Sequence, residues 1–169
     1  AQHVETGETL PEAVRDRLEA SATCNQGFAT SELVGAALLD FSWHLLTEQD
    51  EVPSVEQMAE TVRRRYGLDI DAVPSRYAAP YFQHVFSGGY SAGYYGYLWS
   101  EVLDADACEW FVENGGATRE NGRRFAERIL GVGGGADPMG AYESFRGRAP
   151  SPGPMFRRRG LEARSSGSR

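Results

Sequence analysis

The hydrophobic positions of the chain recur at helical spacing in several separate stretches. Leu10, Val14 and Leu18 mark one face of a short helix that Pro11 opens and that runs through about Ala20. The stretch NQGFATSELVGAALLDFSWHLL is the strongest helix candidate, because apolar side chains cover most of its circumference. A helix that is apolar on nearly all sides is typical of the middle of a larger structure.

Polar residues and glycines mark where the first helices begin and end. Either Thr30 or Ser31 can cap the long apolar helix. Ser54 caps the next helix, and Gln57 three residues later completes a capping box. Gly67 ends that helix after a basic last turn.

Capping residues and proline mark helix ends in the second half of the chain as well. A helix runs from about Tyr94 to Asn114, Thr118 caps another, and Asp137 caps a last one with Pro138 at its first position. No alternation of apolar and polar residues is long enough to indicate a strand. We therefore predict an all-α fold of at least five helices joined by Gly/Pro-rich loops, with no sheet of more than two short strands.

Composition fits a single helical unit over residues 1–161. The chain has 169 residues, of which 41% are hydrophobic, enough for one domain with a core. No apolar run approaches the roughly 20 residues that span a bilayer. We expect the end, RAPSPGPMFRRRGLEARSSGSR, to be irregular, with residues 162–169 as a disordered basic tail.

Charge is distributed unevenly along the chain. The net charge is −7, yet seven arginines and one glutamate fall in residues 145–169, and lysine is absent. The basic end lacks interleaved aromatics and any groove-reading motif, so we expect it to pack on an acidic face or lie in solvent rather than bind nucleic acid. Cys24 and Cys108 lie in apolar contexts, so we expect buried free thiols, with a disulfide as the alternative.

Familiar catalytic and metal-binding motifs are missing from the sequence. The three histidines, His3, His44 and His84, form no H-E-x-x-H pair, and there is no C-x-x-C, G-x-S-x-G or Walker loop. We expect His3 to be solvated and His44 to be a hydrogen-bonded structural histidine. The residues therefore predict no metal site within this chain.

The stretch HVFSGGYSAGYYGYLWSEV, residues 84–102, concentrates tyrosines and glycines. Gly88 and Gly89 permit positive φ and close approach of a ligand. Helical spacing places Tyr94, Tyr97 and Glu101 on one face, where hydroxyls can converge. The alternative is that these aromatics only line the edge of a core with their hydroxyls satisfied.

This stretch closely resembles the C-terminal tyrosine loop of the thimet oligopeptidase and peptidyl-dipeptidase family of zinc metallopeptidases. The resemblance covers roughly residues 8–161: TCNQGFATSELVGAALLDFSWHLL resembles the family's buried helix, GGATRENGRRFAERILGVGGGADPM its closing helices and FRGRAPSPGPMFRRRGL its end. Among the branches of the family, these sequence strings most resemble those of the bacterial dipeptidyl carboxypeptidases. The family's zinc ligands, two histidines of H-E-x-x-H and a later glutamate, lie upstream of this region. The resemblance, and a first residue other than methionine, lead us to expect the C-terminal part of a longer enzyme.

The resemblance also implies roles for individual residues. Tyr97 would donate to the oxyanion of the attacked peptide or to the adjacent substrate backbone. His84 would donate to the bound peptide, Tyr90 would close over it, and Tyr94 would contact substrate or pack. The two glycines before Tyr90 would form the hinge of a mobile loop.

Several expectations about cofactor and partners follow from the resemblance. Zinc belongs to the full-length enzyme, so the isolated chain should bind no catalytic zinc and cleave no peptide. The partners are an oligopeptide substrate and either the missing N-terminal portion or a self-association partner covering the apolar helix 28–46, with no nucleic acid and no membrane. The compartment would be the cytoplasm, or the periplasm. The alternative function is a metal-free peptide-binding or helical interaction module without catalysis.

Overall fold

The structure, a computed structural model, describes residues 2–162. Eight α-helices joined by turns build this part of the chain. The helices are α1 (Glu12–Ser21), α2 (Gln26–His44), α3 (Val55–Arg65), α4 (Gln83–Phe86), α5 (Gly96–Glu113), α6 (Arg119–Phe125), α7 (Pro138–Arg146) and α8 (Gly153–Arg159). A 3-10 turn, Ala79–Tyr81, precedes α4, and a π-helical turn, Ala126–Leu130, continues α6. Within the described residues the β pairing is a single isolated bridge between Gln2 and Thr9. The all-α prediction is confirmed.

The predicted caps of α3, α6 and α7 form as the local sequence indicates. Ser54 Oγ accepts a hydrogen bond from the Gln57 N–H at 3.2 Å, and Gln57 Oε1 accepts one from the Ser54 N–H at 2.8 Å, which completes the capping box of α3. Gly67, with φ of +66°, follows the end of α3. The Thr118 side chain caps α6 by accepting from the Asn121 N–H, and the Asp137 side chain caps α7 by accepting from the Gly140 N–H.

The start of α2 differs from the prediction. The helix begins at Gln26, preceded by Asn25 in the left-handed region with φ of +55° and no side-chain cap. Thr30 lies inside the helix, where its Oγ1 donates to the Gln26 carbonyl at 2.7 Å. The predicted cap at Thr30 or Ser31 is therefore wrong, because a hydroxyl can bond back to the carbonyl four residues earlier without ending the helix.

The C-terminal segment is more ordered than the sequence suggests. Residues 153–159 form α8, so the expectation of an irregular end is wrong for this part, while residues 163–169 of the predicted disordered tail lie outside the described residues. The arginines of α8 each pair with a carboxylate of α5: Arg157 with Glu109, Arg158 with Asp104 and Arg159 with Glu101. The expected packing of the basic end on an acidic face is confirmed for α8.

The apolar core consists of small clusters, two of which flank α2. Each cluster joins residues distant in sequence: Ala36 packs with Phe82, Val85 and Tyr94; Leu39 packs with Met58 and Val62 of α3; Val102 and Ala105 of α5 pack with Met155 of α8. The first cluster lies directly beneath the glycine-tyrosine stretch, so α2 is the support on which that stretch rests.

Some side chains that the sequence assigns to the interior lie at the surface. Cys24 and Cys108 are free thiols, as expected, but both are exposed, so the prediction of burial is wrong. Cys108 lies on the acidic side of α5, where its Sγ is 3.8 Å from an oxygen of Asp104. Cys24 lies in the turn between α1 and α2. Among the described residues, no helix combines the length and apolar character needed to cross a membrane.

Candidate functional site

His84, Tyr90, Tyr94 and Tyr97 come together around the tyrosine loop, which we define as residues 87–95 between α4 and α5. A hydrogen bond of 2.9 Å joins His84 Nε2 in α4 to Tyr97 Oη in the first turn of α5. The His84 ring stands edge-on to Tyr90, with centroids 5.0 Å apart, and to Tyr94, with centroids 5.7 Å apart. The four candidate side chains thus form one cluster.

The cluster has an exposed rim and a buried floor. Tyr90 and Tyr97 are 52% and 46% exposed, whereas Tyr94 is 4% exposed. The Tyr94 ring packs edge-on to Phe82, with centroids 5.1 Å apart. Burial and the neighbouring Tyr77 hydroxyl raise the pKa of Tyr94 to about 12, so its phenol is neutral at physiological pH. Tyr90 and Tyr97 are the phenols that an incoming molecule can reach directly.

The two glycines of the loop are needed for different reasons. Gly89 has φ of +79°, a conformation that residues with side chains rarely adopt. Gly88 does not have positive φ; instead, a Cβ there would lie 2.6 Å from the backbone oxygen of His84. Gly88 therefore allows the loop to pass close to the residue that bonds Tyr97.

Tyr94 and Tyr97 come together as predicted, with ring centroids 5.2 Å apart, although α5 begins at Gly96 and Tyr94 precedes it. Glu101, one turn after Tyr97 in α5, accepts a hydrogen bond from Arg159 of α8. Helical spacing alone could not indicate this partner 58 residues later.

Asp40 anchors the tyrosine loop, and sequence reasoning did not single it out. Its carboxylate accepts hydrogen bonds from the backbone N–H groups of Ala92 at 3.0 Å and Tyr94 at 2.9 Å. His44 Nδ1 donates a hydrogen bond to the Asp40 backbone carbonyl at 2.9 Å and lies 2.8 Å from Asp40 Oδ1, which confirms the expected hydrogen-bonded histidine. The available signal was a lone charged residue within the apolar run GAALLDFSW.

The chemistry of the cluster is that of neutral hydrogen-bond donors beside an imidazole. Two exposed phenols and a histidine can donate to a carbonyl oxygen or to the negative oxygen that develops from it. Across residues 2–162, no three His, Cys, Asp or Glu side chains are grouped to hold a metal ion. The described residues therefore do not fit a zinc site.

Comparison with known proteins finds one family over nearly the whole chain. Residues 1–161 match Peptidase family M3. The chain is 44% identical over 162 residues to dipeptidyl carboxypeptidase of Salmonella typhimurium and 42% identical over 161 residues to dipeptidyl carboxypeptidase of Escherichia coli. It is 34% identical over 161 residues to oligopeptidase A of Escherichia coli.

These alignments cover most of this chain but a small part of each relative. They include 96%, 95% and 95% of the chain and 24%, 24% and 23% of the three relatives. The chain thus spans about a quarter of the length of the curated relatives it matches. Since the match extends through all eight helices and includes the tyrosine loop, the chain belongs to Peptidase family M3.

Proposed function

We propose that this chain forms the substrate-facing side of a zinc metallopeptidase that hydrolyses short oligopeptides. The observation that carries the proposal is the exposed Tyr97 hydroxyl, held by a 2.9 Å hydrogen bond to the half-buried His84 beside Tyr90. Membership of a peptidase family supports the reaction class. Because the described residues do not fit zinc, we assign the metal ligands to residues outside this chain.

Tyr97 supplies the hydrogen bond that stabilises the transition state of the reaction. When the scissile carbonyl is attacked, its oxygen becomes negative, and the Tyr97 hydroxyl donates to that oxygen. A phenol stabilises the developing charge without bringing a full charge of its own into the site. His84 holds the hydroxyl in place and contributes a second polar contact to the peptide.

Tyr90 and the loop glycines hold the substrate. Tyr90 is half-exposed at the tip of the loop, where it can cover a bound peptide. Gly88 and Gly89 are the hinge that lets the loop move. Tyr94 forms the floor beneath Tyr97, at 5.2 Å between ring centroids, and limits how deeply the peptide enters.

The exposed apolar side chains of the first two helices fit a contact with further protein. Leu10, next to α1, and Leu18 within it are more than half exposed, and Phe28 of α2 is 43% exposed. We assign this surface to the rest of the enzyme, with a second copy of the chain as the alternative occupant. We place the enzyme in the cytoplasm, with the periplasm as the alternative; the relatives' names support a peptidase and leave the compartment open.

The test is Tyr97→Phe in the intact enzyme, with Tyr95→Phe as the matched control. Tyr95 is equally exposed but stacks on Phe41, with centroids 5.3 Å apart. Removing the Tyr97 hydroxyl should lower kcat about 10²–10³-fold with little change in KM. Equal kcat values for the two variants would refute the proposal. A rise in KM alone would instead identify a surface that binds peptides without assisting the reaction.

A further inference from the structure

We propose that Asp40 is a positioning residue for this site: its buried carboxylate holds the tyrosine loop in the conformation that places Tyr90 and Tyr97. The kinetic part of this inference rests on the proposed function. The structural part depends only on contacts within the chain, so the two parts can be tested separately.

Two backbone N–H groups bind the Asp40 carboxylate, and an imidazole lies beside it. It is 1% exposed, and a carboxylate at such a position is unstable unless its oxygens are satisfied. Oδ1 accepts from Ala92 N–H at 3.0 Å, and Oδ2 accepts from Tyr94 N–H at 2.9 Å. His44 Nδ1 lies 2.8 Å from Oδ1, and it donates a hydrogen bond to the Asp40 backbone carbonyl at 2.9 Å, because a carbonyl oxygen can only accept. One side chain of α2 therefore fixes two backbone positions more than fifty residues away.

The turn that Asp40 holds has an unfavourable backbone conformation. The Gly93 N–H donates to the Tyr90 carbonyl at 2.8 Å, which closes a tight turn over residues 90–93. Within it, Ala92 has φ of +53°, a region that side chains disfavour. Such a conformation persists only where surrounding contacts enforce it. The hydrogen bonds to Asp40 lie on either side of Gly93 and provide that enforcement.

The turn sets the positions of both exposed phenols. Tyr90 is its first residue, and the Gly93 carbonyl accepts a hydrogen bond from the Gly96 N–H at 3.0 Å, where α5 begins. Tyr97 follows in the first turn of that helix. Release of the turn would therefore move Tyr90 and Tyr97 together and disturb the bond from Tyr97 to His84.

His44 extends the same support to α4. Its ring stacks on Phe86 with centroids 5.4 Å apart, and Phe86 lies in the short helix that carries His84. The Asp40–His44 pair thus connects α2 to both elements that present the site.

The first test measures amide hydrogen exchange in this chain with Asp40→Asn. The amide has the same shape, but its NH2 group cannot accept a hydrogen bond. Exchange at Ala92 and Tyr94 should rise at least about tenfold, since a hydrogen bond to a charged acceptor is lost, while Ala105 in mid-α5 keeps its rate. Asp106→Asn, the same change at an equally buried position, should leave Ala92 and Tyr94 unaffected. Unchanged exchange at both amides in Asp40→Asn would overturn the inference.

The second test is a double-mutant cycle in the intact enzyme. Asp40→Asn should lower kcat roughly 10–100-fold through misplacement of the phenols, but less than about threefold in a Tyr97→Phe background. Asp106→Asn should change kcat less than about twofold in either background. Additive effects of Asp40→Asn and Tyr97→Phe would overturn the positioning role. A normal kcat for Tyr97→Phe alone would refute the proposed function, and the exchange result would still decide whether Asp40 holds the loop.

A milder variant covers the case in which Asp40→Asn does not fold. His44→Gln keeps the carboxylate and removes the imidazole behind it. Exchange at Ala92 and Tyr94 should then rise, while Ala105 keeps its rate. Unaltered exchange at both amides in folded His44→Gln would overturn the inference.

Discussion

Two carboxylates are buried in opposite halves of the molecule and are stabilised by different means. Asp106 of α5, fully buried, accepts hydrogen bonds from Arg148 at 2.6 Å and Tyr142 at 2.9 Å, and Arg146 Nε lies 3.3 Å away. Asp40 of α2, equally buried, accepts hydrogen bonds instead from two backbone N–H groups, with the His44 imidazole 2.8 Å from Oδ1.

The partners determine what each carboxylate can do. Full positive charges surround Asp106: burial alone would raise its pKa, but hydrogen bonds from Arg148 and Tyr142, together with the charges of Arg146 and Arg148, lower it. That network joins α5 to α7 and the segment after it. Asp40 fixes no helix by charge and instead holds a loop in a strained shape. The buried charge of Asp106 joins helices to one another, whereas that of Asp40 fixes the conformation of a loop.

The largest expected effect comes from removing the carboxylate of Asp106, which the arginines surround. Asp106→Ala leaves Arg146, only 7% exposed, without one of its acidic partners, and breaking a buried pair typically costs about 3–5 kcal/mol of stability. Urea unfolding measures the loss. Asp104→Ala, which removes the exposed partner of Arg158, should cost less than about 1 kcal/mol. Equal losses for the two variants would mean that burial does not distinguish these carboxylates.

A smaller effect is expected from adding a side-chain atom to the tyrosine loop at Gly88. Gly88→Ala would place a Cβ 2.6 Å from the His84 carbonyl oxygen, so the loop or His84 must shift. In the intact enzyme kcat/KM should fall about 10–100-fold with little loss of stability. The control is Gly96→Ala, where a Cβ would meet no described atom within 4 Å. Similar kinetics for both alanine variants would show that the approach of Gly88 to His84 is unimportant for activity.

The smallest expected effect is the loss of the stability that ionised Asp106 contributes as the pH falls. Since the folded-state pKa of Asp106 lies below its ordinary value of about 3.9, the carboxylate stabilises the fold above that pH. This contribution is lost as pH falls through the folded-state pKa. The stability gap between the wild type and Asp106→Asn should therefore narrow from pH 7 to pH 3 in urea titrations. A gap that stays constant with pH would show that ionisation of Asp106 contributes nothing.

Local features were predictable from the sequence, and long-range ones were not. Ser54 and Gln57 meet within one helical turn, so their residue types alone predict the capping box. Helix α8 escaped prediction because its arginines are stabilised by carboxylates about fifty residues earlier. For the candidate site, composition and resemblance indicated His84 and the tyrosines, whereas Asp40 was missed because its partners are 52 and 54 residues away.

The three arginines of α8 have a consequence for how α8 can turn against α5. Successive residues of α8 pair with α5 in reverse order, from Glu109 through Asp104 to Glu101, as in two antiparallel helices. Adjacent residues on a helix point about 100° apart, so the three side chains leave α8 in different directions. Rotation of α8 about its own axis in either direction therefore breaks at least one of the three ion pairs.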